Sequence, residues 1–312
     1  MPIDLRIISD ITDIPFELKG NEALILEDFK PVFEASGNDI TWIRPGIKNA
    51  EELINETSAG CIICDEETFE LYKGNGEKLF VITSNPQIVF TRLIIHFKKG
   101  SDIPTGIHPT AIVDPGCQIG ENVSIGAYTA IGACKIGDGT VIHDHVKVWG
   151  NAEIGSGCVI REFCTVGGEG FGIVKDEKGI NLHVPHTGKA IIGNNVLLMP
   201  FANVDRGTLG NTVIEDNAVI DHYCHIAHNT RVGRNSIVTA CTVLCGGSSV
   251  ESDSYLGINT IIKQKIKVGS NVTTGMGAIV TSNIPDGETW LGNPAMEISE
   301  FLKIRKFIKE HL

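Results

Sequence analysis

The sequence predicts a mainly β protein, a parallel β-helix of short stacked strands preceded by a small α/β domain and followed by a short helix. Three observations carry that prediction. A branched aliphatic recurs every sixth residue: Ile107, Val113, Ile119, Ile125 and Ile131, then after one five-residue step Ile136, Ile142, Val148, Ile154, Ile160 and Val166. The series resumes at Ile192, Leu198 and Val204, and from Ile214 it holds to Val280, with Thr274 standing in once. Two residues before the aliphatic the side chain is nearly always small, as at Ala111, Cys117, Ala152, Cys158, Cys164, Ala218, Cys224 and Ser236, and Gly, Asp or Asn tends to follow it. Neither a 3.6-residue helix nor simple alternation demands a period of six. Residues i and i−2 share one face of a strand, so each six-residue unit sends one large and one small side chain inward and then turns. The three stretches hold 26 such inward positions, enough at three strands per coil for about eight or nine coils. Each buried aliphatic contributes about 1.5–3 kcal/mol before chain entropy is subtracted.

The elements follow in order. Residues 1–102 lack the hexad, and strand-like DITWI, AGCIICDE and KLFVITS alternate with helical patterns at NAEELINETSA and NPQIVFTRLIIHFKK, as in a small α/β domain. Residues 103–285 form the solenoid. Its phase is lost over 167–191, where 167–187 (GGEGFGIVKDEKGINLHVPHT) reads as an inserted loop, and again over RGTLGN. Loops held by a rigid scaffold commonly carry binding residues. Residues 286–312 end in EISEFLKIRKFIKEHL, a predicted helix whose 301–309 stretch has four basic residues and no acid.

Composition narrows the function. The chain has 312 residues, 42% apolar but only 6% aromatic, with 35 glycines, so the core is made of small and branched aliphatics. A formal charge of −12 lacks the basic footprint that nucleic acid requires. No apolar run is long enough to span a membrane, and the N-terminus lacks a secretory pattern, which predicts a cytoplasmic protein. The nine cysteines do not form a disulfide framework. Cys117, Cys134, Cys158, Cys164 and Cys224 occupy small inward slots, and Cys61-x-x-Cys64 lies in an apolar run with no second pair to complete a metal site.

Hexads are shared by acyltransferases, some carbonic anhydrases and inert solenoids, so the specific information lies where the pattern is decorated. GEGFG (168–172), VDRGTLGNT (204–212), IDHYCHIAHNTRVG (220–233), the glycines 246–247 and TTGMG (273–277) resemble, in order and spacing, the UDP-3-O-acylglucosamine N-acyltransferase family. The first domain is similar too, with ITWI, an Ala-Gly strand and SNPQIVFTRL. The resemblance implies a left-handed parallel β-helix assembled as a homotrimer with active sites between subunits. It implies transfer of an acyl group from a thioester to the amine of a nucleotide-linked sugar, in lipid A or related surface-glycan synthesis, with no tightly bound cofactor or metal. The family's catalytic histidine maps to His228, and its oxyanion-stabilising amide to Gly246. Pro45 and Lys48 stand where the family has an Asn and a Tyr that hold uracil, and Gln264 stands in place of a second family histidine.

The chemistry suits these residues. A sugar ammonium cannot attack a thioester until it loses a proton, which a neutral imidazole takes near working pH. His228 lies two residues after inward Ile226, which puts it at a turn. A lone histidine otherwise often serves only to hydrogen-bond between coils. A backbone N–H at Gly246 would face the developing oxyanion. Trp42 offers a stacking surface; Asp205, Arg206, Asp221, His222, His225 and Asn229 are candidate sugar and phosphate contacts, with an Asp205–Arg206 ion pair as the structural alternative. Met276 suits an acyl groove or solenoid packing equally, and Gly277 lies beside it. Lys303, Arg305, Lys306 and Lys309 fit an acidic acyl carrier protein or the phosphates of coenzyme A, donors that share a phosphopantetheine thioester, or else they form a solvated helix face. The His222, His225 and His228 spacing also invites a metal-dependent hydratase, and a silent scaffold is the remaining alternative.

Overall fold

The computed structural model describes residues 2–97 and 104–311. The chain divides into two compact units, Met1–Gly100 and Ser101–Leu312. The boundary that the sequence places at 102/103 lies outside the described residues. In the first unit a five-stranded sheet runs in the order Phe16–Gly20, Leu79–Thr83, Cys61–Cys64, Asp39–Trp42, Asp28–Phe29. Its first pair is antiparallel and the rest parallel. CIIC and LFVIT are buried along their whole length, as strands covered on both faces must be. Helices Ala50–Glu56 and Pro86–Phe97 supply the cover. The Phe16–Gly20 strand is absent from the sequence-based expectation: Phe16 and Leu18 alternate with Glu17 and Lys19, but over four residues that pattern is too short to stand out. Cys61 and Cys64 are central-strand thiols, and burial pushes Cys64 up to about 12, far from a reactive thiolate.

The second unit is a β-solenoid with three parallel sheets. Sheet 1 has eleven strands starting at Gly106–Ile107, sheet 2 has nine starting at Ile112–Val113, and sheet 3 has eight starting at Gln118–Ile119. Each coil takes one strand from each sheet in that order. Ile142, Val148, Ile160, Leu244 and most other hexad aliphatics are fully buried. Ile107 is 52% exposed, because it lies on the first coil and has a neighbouring coil on one side only. Sheet 1 continues past the last hexad: Thr289–Gly292 extends it in parallel, Ala295–Glu297 pairs back antiparallel, and the helix Ile298–His311 follows. Among the described residues no helix is long and apolar enough to cross a membrane.

The three corners differ in chemistry. At most corners one residue takes a left-handed conformation, which Asn and Gly accept readily. The corner after sheet 3 meets this demand with Asn195, Asn217, Asn235 and Asn271. The corner after sheet 1 instead places Tyr128, His145, Phe163, Phe201 and Tyr223 at φ of 56–65°. Left-handed backbone costs a residue with a Cβ about 1–2 kcal/mol. The five rings offset that cost by stacking, with centroids 4.9–5.2 Å apart and planes within 14°. The corner after sheet 2 is interrupted, and it holds His228.

Candidate active site

Both breaks in the hexad phase belong to one structural feature. The insertion is more ordered than a loop: sheet 2 runs on through Thr165–Gly168, and Ile173–Lys175 pairs with Asn181–His183 in a hairpin. Its return strap lies against the RGTLGN excursion of the next coil, with Thr187 N–H donating to Thr208 O (2.7 Å) and Gly188 N–H to Gly207 O (3.0 Å). Both segments lean over the turn that follows His225–Ile226.

His228 sits on that turn, beside left-handed Asn229. The Thr208 N–H and hydroxyl meet the Asn229 side chain at 3.1 and 2.9 Å. A backbone N–H only donates, so the atom it meets is the Asn229 oxygen. The same oxygen lies 3.0 Å from His228 Nδ1, which therefore carries the proton and donates it, while Thr208 Oγ1 stands 3.2 Å away. The tautomer is thereby set, and Nε2 keeps its lone pair. That nitrogen faces Gly246 on the next coil, where an added Cβ would lie 2.7 Å from both Nε2 and Cε1. The Gly246 N–H makes no hydrogen bond among the described residues, whereas the Gly247 N–H donates to His228 O (2.9 Å). An imidazole lone pair and an unengaged amide thus lie on neighbouring coils, the elements of a general base and an oxyanion donor.

The hairpin strap adds a second imidazole. His186 is 3% exposed, and its ring meets that of His228 edge-on, with centroids 5.0 Å apart. Its backbone N–H donates to Glu169 Oε1 (3.1 Å). That bond, the largest cause, holds Glu169 below the usual carboxylate range, with support from the nearby histidines and Arg206. His183 stacks on His186, with centroids 5.8 Å apart.

The expected contacts separate into groups. Asp205 and His225 join the site's edge: Asn203 Nδ2 donates to Asp205 Oδ1 (2.8 Å) and His225 Nδ1 (3.0 Å), and Asp205 Oδ2 lies 3.7 Å from His225 Nε2. Arg206 does not pair with Asp205; its Nε is buried with no hydrogen-bond partner among the described residues. Asn229 spends its oxygen orienting His228. Asp221 and His222 lie at the aromatic corner, at the opposite end of the sheet 2 strand, hydrogen-bonded to each other at 2.6 Å. Burial pushes the Asp221 carboxyl up, but hydrogen bonds from His222 outweigh it and leave it below its ordinary value. The three histidines of IDHYCHIAHN therefore serve separate corners and faces, and no group of three or more His, Cys, Asp or Glu among the described residues is arranged to hold an ion. Met276, 79% exposed, and Gly277 (φ 69°) turn the corner after sheet 1 rather than that of His228. Lys303, Arg305 and Lys306 lie on the exposed C-terminal helix with Leu302, Phe307 and Ile308. In the first unit, Trp42 packs near Phe90 (ring centroids 6.3 Å) and lines a hollow of about 510 Å³ with Lys30 and Arg44. Sequence reasoning missed Asn203, Thr208, Glu169, His183 and His186; for the last four the signal was the lost hexad phase, whereas Asn203 sits in an intact hexad beside inward Val204.

Burial pushes the Asp205 carboxyl above its ordinary range, against the Asn203 hydrogen bond and the nearby imidazoles of His225, His228 and His186. A carboxyl whose pKa rises on folding weakens the fold at neutral pH and regains that stability as pH falls through its folded pKa. Asp205→Asn is therefore expected to melt higher than the parent at pH 7–8, with the gap closing toward acid pH; thermal melts across that range check this.

Residues 133–168 and 211–246 match the family model described as bacterial transferase hexapeptide (six repeats). Among curated proteins, the UDP-3-O-acylglucosamine N-acyltransferase of Coxiella burnetii is 30% identical over 292 residues, covering 87% of this chain and 83% of its own length. The enzyme of that name from Bordetella pertussis is 26% identical over 329 residues, with coverage of 96% and 91%. Among solved structures, LpxA from Acinetobacter baumannii shares 30% identity at a TM-score of 0.55, over 61% of this chain and 72% of its own. UDP-N-acetylglucosamine acyltransferase from Campylobacter jejuni shares 28% at 0.56, over 62% and 73%.

Proposed function

The chain belongs to the UDP-3-O-acylglucosamine N-acyltransferase family, and on that premise we propose that it moves an acyl group from a thioester to the amine of a UDP-linked 3-O-acylglucosamine in lipid A synthesis, with His228 as the general base. The observation that carries the assignment of the base is the His228 tautomer: Nδ1–H is held by Asn229 Oδ1, so Nε2 keeps its lone pair, beside Gly246. The neutral amine attacks the thioester carbon, and Nε2 takes the proton from nitrogen as the C–N bond forms. The Gly246 N–H stabilises the oxyanion. The C–S bond then breaks, and the departing sulfur takes the proton back from the imidazolium, leaving the amide and a free thiol. Asp205, Asn203 and His225 would meet sugar hydroxyls, and Arg206 a phosphate. The donor is acyl carrier protein, whose acidic surface suits the cationic C-terminal helix; coenzyme A is the alternative.

The working unit is a homotrimer. The outward row of sheet 1 runs Val141, Val159, Leu197, Val219, Ile237, Tyr255, each paired to the next. The corresponding row of sheet 3 runs Gln118, Lys135, Glu153, Ile191, Val213, Arg231, Ser249 and Lys267, polar but for two members. An apolar sheet face beside an exposed aromatic corner calls for a partner, and a second copy, offering its sheet 2, supplies a closed threefold arrangement. The nine unpaired cysteines support a cytoplasmic location. The test is an assay of purified protein with UDP-3-O-acylglucosamine and either acyl carrier protein or acyl-CoA donors. An amide product and a sedimentation mass of a trimer are expected; absence of amide with every donor overturns the proposal.

A further inference from the structure

His186 holds a buried lone pair that no group among the described residues satisfies. Its Nδ1 lies 2.8 Å from Val184 O; a carbonyl only accepts, so Nδ1 carries the proton and Nε2 is the acceptor. Nε2 is buried and has no hydrogen-bond partner among the described residues. Native structures rarely leave such an atom unpaired, because its desolvation is not repaid. The surrounding backbone makes room for the ring where it is. A Cβ on Gly170 would lie 3.0 Å from His186 Nε2 and 2.9 Å from His228 Cβ, and one on Gly172 would lie 3.1 Å from His186 Cε1. Only glycine at 170 lets the two imidazoles meet edge-on, 5.0 Å apart and at 72°.

A neutral imidazole has a fixed dipole with its negative end at the unprotonated nitrogen. Here the Val184 carbonyl orients that dipole, and the burial that leaves Nε2 unpaired also keeps water from screening it. The charge of His228 changes during the reaction, from neutral imidazole to imidazolium and back. A preoriented negative end beside the ring favours the charged state and needs no reorganisation when that state forms. We infer that His186 is a positioning residue that stabilises the imidazolium form of His228 through its unpaired Nε2, making His228 a stronger base. The inference deepens the proposed function and rests on His228 as the base.

Other charges also act on the pair: Asp205 and Arg206 from the adjoining coil, Glu169 and His183 from the inserted hairpin, His225 from the strand before His228, and Lys265 from beyond Gly247. The test must therefore vary His186 alone. His186→Phe keeps a ring but removes the lone pair; His186→Gln keeps an acceptor oxygen. Diethyl pyrocarbonate modifies neutral imidazole, so the pH dependence of His228 modification, read by peptide mass spectrometry in the full-length protein, reports its protonation whatever reaction the protein catalyses. In His186→Phe the His228 titration is expected to move down by about half to one pH unit, a roughly three- to tenfold change in protonation equilibrium, with His186→Gln close to the parent. The kcat for amide formation should fall about tenfold in His186→Phe with the acceptor KM unchanged. Identical His228 titrations in parent and His186→Phe, or a shift in His186→Gln as large as that in His186→Phe, overturn the inference. A titration shift in a protein that makes no amide would support it while refuting the acyltransferase assignment.

Discussion

Gly246→Ala is expected to abolish transfer while leaving the solenoid folded. The added methyl would lie 2.7 Å from both Nε2 and Cε1 of His228, well inside contact distance. The imidazole has nowhere to retreat. Asn229 and Thr208 hold its Nδ1 edge, and Gly170 and His186 close on its other edge. The methyl would therefore displace the ring or cap its free nitrogen, and a misplacement of about 1 Å at a reacting group already costs about a hundredfold in rate. Gly246 does not use a left-handed backbone, so alanine is accepted by the main chain. The neighbouring Gly247 supplies the opposite case: its φ is 70°, but a Cβ there meets only Lys265 Cγ, at an ordinary 3.6 Å. Gly247→Ala is expected to lower stability by about 1 kcal/mol and to keep most of the activity. Initial rates and thermal melts on the two variants separate a blocked base from a strained turn. A Gly246→Ala enzyme at parental rate would mean that Nε2 of His228 is not the reacting atom.

The second large effect falls on His228 itself. His228→Ala is expected to reduce amide formation by about 10³-fold, within the range of about 10² to 10⁴ that a positioned base contributes. Binding of the nucleotide sugar should survive, because Asn203, Asp205 and His225 are held by one another rather than by His228. Calorimetric titration with UDP-3-O-acylglucosamine, set beside the rate, distinguishes loss of the base from collapse of the site. Undiminished turnover in this variant would remove His228 from the mechanism.

Much of the architecture was legible because a solenoid repeats one local rule. Each coil meets the same demand for a large and a small inward side chain and a turn, so Ile220, Ile226 and Val232 each restate it. The first domain was less legible. FELKG carries only a four-residue alternation, and it forms an edge strand where Leu79–Thr83 offers it a partner from far along the chain. At the site, His228 was legible through the IAHN resemblance, whereas His186 and Thr208 were hidden in segments where the period fails. Those failures marked the place without naming the contacts, since a hairpin strap and a six-residue excursion meet through hydrogen bonds between coils.

What the sequence determined by itself was the solenoid, the turn position of His228 and the packing role of the inward cysteines, because these follow from interactions spanning a few residues and repeated many times. Only the tertiary structure decided that His222 and His228 serve opposite corners, that Arg206 does not pair with Asp205, and that a histidine 42 positions before His228 touches it. Residues one coil apart in sequence lie a single strand spacing apart in space, so the contacts that make the site depend on how coils stack and where one is interrupted. A pattern of neighbours along the chain does not contain that information.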